Sequence, residues 1–232
     1  MNQGRVLGCE RPSASEGASS NGLRGRGTHC AVLIPVKRFR LAKRRLAGLL
    51  DDDQRVTLAQ WLAGRVVAAA RPAPVFVACE DEAVAAWADA AGAEVLWTPG
   101  LGLNGAVESS RMTISGKGFD HLVIAHSDLP LARQLTGLAA ERTITLVPDR
   151  RGTGTNVLCL PVEARIAISY GPGSFDAHLG QALAAAGGAP LAVEVRRDPR
   201  LALDVDTPED LSHPALQTEL PGWLRTILAS RR

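Results

Sequence analysis

Three aspartates stand where carboxylates commonly do metal chemistry. Asp128 follows the apolar run LVIA, in HSDLP, and so falls at the carboxyl end of an expected strand, the rim where open α/β sheets bind ligands. Asp204 and Asp206 lie in LALDVDTP. If that piece is extended they project to the same side, because side chains alternate with a period of two. Two carboxylates on one face repel unless a cation lies between them. Mg2+ is usually held by one or two carboxylates plus substrate phosphates, so Asp128, Asp204 and Asp206 are read as metal ligands. The competing reading is turn chemistry, since SDLP alone is a turn. In TPED, Thr207 caps a helix, Pro208 occupies its first turn and Asp210 takes the capping-box position, which is a structural assignment.

A second cluster is basic. In PVKRFRLAKRRL, Lys37 ends the first expected strand, and Lys43, Arg44 and Arg45 open a helical region. Strand, basic loop and helix is the layout of a phosphate site, here without the glycine cradle of a Walker loop or a dinucleotide fingerprint. Side chains would then meet the phosphates, arginine through paired hydrogen bonds. On charge alone, a solvated helix face explains the run equally well.

Two glycine-rich stretches follow. GTGTN, residues 152–156, offers hydroxyls and backbone N–H groups between two strands. GPGSF, residues 171–175, precedes a helix that Ser174 can cap, and the free N–H groups at the positive end of that helix make an anion site. Each is equally a plain turn when taken alone. GLGLN, residues 100–104, either turns the chain or lets the backbone approach a base or a substrate. His178 reads as a packed or helix-surface histidine. No Ser-His-Asp or Cys-His order supports covalent catalysis.

These residues need elements to carry them. Apolar runs at residues 30–36, 74–79, 93–97 and 121–127 read as strands, with helices expected at 41–50, 53–70, 80–92 and 105–116 between them. Strand and helix alternating at this interval predicts βαβ units, a mainly parallel sheet, and every strand's carboxyl end on one rim. TITLVP and NVLCLP read as two further strands, SFDAHLGQALAAAG as a helix, PLAVEV as another strand, and residues 216–229 as a C-terminal helix. The expected fold is a single α/β domain over residues 30–232, with a mixed, mainly parallel sheet flanked by helices. Residues 1–29, rich in Gly, Ser and Arg, lack the apolar stretch of a signal peptide and are expected to be a disordered leader.

Composition narrows the function. With 26 basic and 24 acidic residues the net charge is +2, and the basic residues are dispersed among acids, so nucleic-acid binding is not expected. No run approaches the ~20 apolar residues of a membrane span. Cys9, Cys30, Cys79 and Cys159 show no metal spacing; the last three lie in or beside strands and read as buried, reduced thiols, which favours the cytoplasm.

IPVK, AKRRL, GLN, SDLP, PDRRGTGTN, GPGSF with His178, and LDVDTPEDL occur in one order over residues 30–212. In that order they resemble the phosphoenolpyruvate and 2-phospho-L-lactate guanylyltransferases of coenzyme F-420 biosynthesis. The resemblance implies a fold like that of nucleotide-diphospho-sugar transferases and a Mg2+-dependent joining of GTP to phosphoenolpyruvate or 2-phospho-L-lactate, with release of pyrophosphate. Carried onto this chain, it implies Asp128, Asp204 and Asp206 as metal ligands, with Asp128 and Lys37 at the reacting centre. Thr155, Gly171 and Ser174 would contact the phosphorylated acid. Lys37, Lys43, Arg45 and Asn104 would bind the nucleotide. A homodimer is left open. The acid's phosphate is already largely ionised at neutral pH, its second pKa being about 6, so no general base is required. A same-fold enzyme acting on a pterin or sugar phosphate is the first alternative, although PVKRFRLAKRRL lacks the GGxSxRMGxxK pattern of molybdenum-cofactor guanylyltransferases. A non-catalytic nucleotide-binding module is the second.

Overall fold

A computed structural model describes residues 29–230 of the chain. The leader expected over residues 1–29 lies, His29 apart, outside the described residues, as does Cys9. Seven strands form one sheet in the order β3-β2-β1-β4-β6-β5-β7. They are β1 (Cys30–Pro35), β2 (Val75–Cys79), β3 (Glu94–Trp97), β4 (His121–Ala125), β5 (Thr143–Pro148), β6 (Thr155–Pro161) and β7 (Ala192–Val195). Four strand pairs are parallel, and β6 runs antiparallel to both its neighbours. The shared rim expected from the βαβ units holds for β1 to β4, whereas the antiparallel β6 brings its amino end, with Thr155 and Asn156, to the rim where β4 ends, Val157 pairing with Ala125. The glycine-rich link therefore meets Asp128 because of strand direction.

Helices cover both faces. Helix α1 (Asp52–Ala70) starts on a capping box in which Asp51 and Gln54 bond each other's backbone N–H. With α2 (Glu82–Ala90) it packs on one face of the sheet, against the odd-numbered side of β2 (Val75, Val77 and Cys79). Helices α3 (Gly102–Ser115) and α4 (Ser174–Gly187) cover the other face, against Leu33, Phe76, Ile124 and Leu158. The odd and even residues of each strand thus feed separate cores, which is why the strands read as continuous apolar runs and not as alternating ones. Cys30, Cys79 and Cys159 are buried free thiols, as expected. Among the described residues no helix is long and apolar enough to cross a membrane.

A third apolar cluster positions the acidic loop. Leu46, Leu50 and the outer side of α1 (Leu58, Leu62) meet Leu203, Val205, Leu211, Leu216 and Leu224. Two short helices, α5 (Pro199–Ala202) and α6 (Pro208–Leu211), bracket the LDVD segment, and α7 (Gly222–Ala229) closes the chain. The helix expected over 216–229 is broken, since Pro221 sits at the start of α7 and only a 3-10 turn, Pro214–Leu216, precedes it. The helix expected over 41–50 is absent too. Two 3-10 turns, Phe39–Leu41 and Arg44–Leu46, replace it, and between them Lys43 takes the left-handed conformation at φ 54°. That conformation is unfavourable for a residue with a Cβ, and what holds it becomes visible at the site.

Candidate active site

The site is built where four pieces of chain meet on the sheet's rim. Leu203 and Val205 are 2% and 0% exposed and anchor LDVD to the third apolar cluster, so Asp204 and Asp206 project the other way. The expected alternation is therefore present although no strand forms there. A backbone bond from Val205 N–H to Asp128 C=O, 3.1 Å, pins this segment beside the end of β4. Asn156, at the start of β6, holds the preceding turn by donating from Nδ2 to Leu201 O (3.0 Å) and Ala202 O (3.1 Å).

Below LDVD, Thr207 and Asp210 form the expected capping box. Asp210 Oδ2 accepts from the N–H groups of Asp206 (3.0 Å) and Thr207 (2.8 Å), and Oδ1 accepts from Arg150 at 2.6 Å. Burial pushes the Asp210 carboxyl up, but these donors outweigh it and hold the group below its ordinary pKa. The backbone of Asp206 is thereby fixed.

At the centre, the Lys43 ammonium lies between two carboxylates. Its Nζ donates to Asp128 Oδ2 at 2.6 Å and to Asp206 Oδ1 at 2.9 Å, with the lysine side chain 8% exposed. Burial alone would lower the Lys43 pKa, but the two carboxylates more than offset it and raise the value. Asp128 is pushed up by desolvation and brought down further by Lys43, ending below its ordinary value. Asp204 has no such partner. Burial first, then the nearby Asp128 and Asp206, raise it to about 6. The left-handed Lys43 is the backbone cost, on the order of 1–3 kcal/mol, of delivering its ammonium here.

A cavity of about 270 Å³ opens over this centre, lined among others by Lys37, Lys43, His126, Asp128 and Asp206. Three buried polar atoms in this cluster have no hydrogen-bond partner: Asp128 Oδ1, His126 Nε2 and Tyr170 Oη. The Tyr170 ring contacts both His126, centroids 5.0 Å apart, and His178, 4.9 Å. Orphaned groups of this kind each cost about 1–3 kcal/mol unless a ligand satisfies them. An acceptor oxygen left bare at Asp128 suits a cation. Among the described residues, no group of three or more His, Cys, Asp and Glu is arranged to hold a metal ion. Magnesium needs no such cage, since substrate phosphates and water complete its shell.

The two glycine-rich stretches clasp one another. Phe175 N–H donates to Thr153 O (3.1 Å), and Thr155 N–H donates to Ser174 Oγ (3.1 Å). Ser174 therefore does not cap α4, whose N-cap is Gly173 with no side-chain bond; its hydroxyl turns inward to β6. Gly171 and Gly173, at φ 139° and 73°, supply conformations that other residues rarely adopt. One turn along α4, His178 is fully buried and so is packed, as expected. Its Nε2 accepts from Ser169 N–H (2.9 Å), so the neutral ring carries its proton on Nδ1, which donates to Thr155 Oγ1 (3.0 Å). Burial lowers the His178 pKa to about 4 and keeps the ring neutral. The Thr155 hydroxyl keeps its own proton as a donor, although the residue is only 1% exposed and, like Gly171 and Ser174, does not line the 270 Å³ cavity.

The remaining expected residues are placed differently. Lys37 is exposed on the rim of the 270 Å³ cavity. Arg45 lines a small recess with Asp149, Arg150, Arg151, Asp204 and Asp206. Asn104 is committed to the backbone of Tyr170, donating to its O (3.0 Å) and accepting from its N–H (2.8 Å), and so ties α3 to the loop before Gly171. His126, Tyr170, Arg150 and Arg151 were not singled out in the sequence. His126 had a signal, since it lies two residues before Asp128 at the end of β4; Tyr170 had none.

The three-layer α/β/α sheet brings carboxylates and basic side chains together where the parallel strands meet the antiparallel β6. The same fold is found in a putative nucleotide-diphospho-sugar transferase from Desulfovibrio desulfuricans G20, with a TM-score of 0.63 at 18% identity, covering 88% of this chain and 95% of that one. A family profile described as "Guanylyl transferase CofC like" matches residues 30–219, and the chain belongs to that family of nucleotidyltransferases. Two curated relatives carry the name phosphoenolpyruvate guanylyltransferase. That of Rubrobacter xylanophilus is 37% identical over 190 residues, 78% of this chain and 91% of the relative. That of Sphaerobacter thermophilus is 38% identical over 193 residues, 79% and 91%.

Proposed function

We propose that this chain transfers the guanylyl group of GTP to phosphoenolpyruvate with release of pyrophosphate, as a step in coenzyme F-420 biosynthesis. The observation that carries the reading is the convergence of Asp128 and Asp206 on one cationic centre, 2.6 and 2.9 Å from the Lys43 ammonium. The names of the relatives support the donor and the acceptor.

A phosphate oxygen of the acid attacks the α-phosphorus of GTP in line. The new P–O bond forms as the bond to the oxygen bridging to the β-phosphorus breaks, and that oxygen leaves with pyrophosphate. No proton has to be removed from the nucleophile, so the lack of a catalytic base is consistent with the chemistry. The obstacle is the approach of two anions. Mg2+ held by Asp128 and Asp206, with Asp204 beside them, would neutralise phosphate charge and orient both substrates. Lys37, Lys43 and Arg45 add positive charge along the same rim. Thr155, its hydroxyl oriented by His178, would donate to the acid. Gly171 leaves room for the acid, and Ser174 holds the backbone of Thr155 in place.

Pyrophosphate release measured with GTP against phosphoenolpyruvate, 2-phospho-L-lactate and 3-phosphoglycerate tests the proposal. Turnover with phosphoenolpyruvate ahead of the other two is expected. Turnover with none of these acids would refute it.

A further inference from the structure

The cavity over the aspartates continues into a second one of about 220 Å³; Pro35, Val36, Lys37, Leu41 and Leu103 line both. The second runs between the ends of β1 and β2 and the start of α3, and its walls include Ala78, Leu103, Gly102 and Ala106. A small apolar slot opening onto a charged centre fits a flat heteroaromatic ring whose phosphates reach that centre. Its polar groups are gathered together. Glu80 Oε2 accepts from Gly100 N–H at 2.9 Å, and Glu80 Oε1 lies 3.7 Å from Arg38 Nε. Both side chains line the slot, about half exposed at 40% and 51%, so their remaining hydrogen-bonding capacity is open to a ligand. A carboxylate has roughly four acceptor positions, and Glu80 spends one on Gly100 and another toward Arg38.

Resting on the reading of the donor as a nucleoside triphosphate, we propose that Glu80 and Arg38 select guanine. Glu80 accepts from N1–H and the exocyclic N2 amine, and Arg38 donates to O6. Adenine inverts this edge. It sets a bare N1 lone pair against the carboxylate, brings no amine at C2, and turns an N6 donor toward the guanidinium. The pair attracts one purine and repels the other, which is how discrimination between molecules of equal size is obtained. Gly100 and Gly102, at φ 73° and 63°, shape the loop that presents the Gly100 amide to Glu80.

Affinities of GTP, ITP and ATP, measured calorimetrically with Mg2+ on wild-type protein and Glu80→Gln, test the inference. GTP affinity is expected to fall about 10- to 100-fold in the variant, the range for a lost charge-assisted hydrogen bond, while ATP changes less than about threefold. ITP, which lacks the N2 amine, binds the wild type about tenfold more weakly than GTP. An equal loss for GTP and ATP would mean that Glu80 only braces the loop, and unchanged GTP affinity would mean that it does not touch the base; either overturns the inference. Pyrophosphate release by the wild type is read separately. A wild type that turns over while Glu80→Gln keeps its preference for GTP sinks the base assignment alone, and one that binds GTP selectively without turnover sinks the acceptor assignment alone. A wild type that binds no nucleotide sinks both.

Discussion

Replacing Lys43 with methionine removes the ammonium between Asp128 and Asp206 and keeps most of the side chain's packing. Two carboxylates are then left facing one another, Asp128 with its side chain 18% exposed and Asp206 47%. Removing one partner of a buried ion pair costs about 3–5 kcal/mol. The exposure of Asp206 lets solvent screen part of this, so about 2–4 kcal/mol is expected. At roughly 2–4 °C per kcal/mol for a chain of this size, the melting temperature of the metal-free protein falls by about 4–16 °C. Mg2+ should return much of that loss, because a divalent cation can replace the missing charge between the same oxygens. In the wild type it must first displace Lys43, so the Mg2+-induced rise in melting temperature is smaller there. Differential scanning fluorimetry with and without Mg2+ on both proteins gives the four values. Equal melting temperatures without metal, or equal rises with it, would refute the placement of Lys43 as the occupant of a cation position.

Asp204→Asn probes the carboxylate that has no cationic partner. The folded-state pKa of about 6 lies above the ordinary 3.8. The native state is therefore favoured while the group is protonated, below about pH 4, and that advantage is lost as pH rises through about 6. The amide cannot ionise, so without metal the variant should be more stable than wild type at pH 8 by about 1–2 kcal/mol, discounted for partial exposure, and indistinguishable from it at pH 4; chemical denaturation at the two pH values checks this. His178→Phe leaves the Ser169 N–H and the Thr155 hydroxyl without their partner. It should cost about 2–3 kcal/mol of stability and raise KM for phosphoenolpyruvate with little change in KM for GTP; steady-state kinetics with each substrate varied would show it.

The first half of the fold was legible because each strand from β1 to β4 is a short apolar run flanked by a helix that starts or stops on a local signal, as at Asp51, Asp81 and Gly92. The same logic failed over residues 41–50. Leu46, Leu49 and Leu50 are spaced as on a helix face, yet the segment forms two 3-10 turns with Lys43, bonded to two carboxylates far along the chain, in the left-handed conformation between them. Asp204 and Asp206 were legible as a pair because Leu203 and Val205 alternate with them, and the Thr207–Asp210 capping box is written in four consecutive residues. The short link between Pro148 and Thr155 can only join antiparallel neighbours, but nothing local shows that β6 then inserts beside β4, which is what carries Thr155 to that rim. Ser174 reads as a cap and instead bonds β6, and Asn104, expected at the nucleotide, bonds the backbone of Tyr170, a contact that no local spacing suggests. In each case the partner lies far along the chain. Tyr170 carries no motif and became visible only as a buried hydroxyl without a partner, whereas the spacing of His126 from Asp128 already marks it.

The reaction itself is tested most directly by following GTP, phosphoenolpyruvate and Mg2+ by phosphorus NMR with wild-type protein and Asp128→Asn. With wild type, a new pair of coupled diphosphate resonances should grow in step with free pyrophosphate while the phosphoenolpyruvate signal declines. With Asp128→Asn, folded by circular dichroism, the rate should fall on the order of 1000-fold. Pyrophosphate appearing without the coupled pair, or turnover undiminished by loss of the Asp128 carboxylate, would contradict the account.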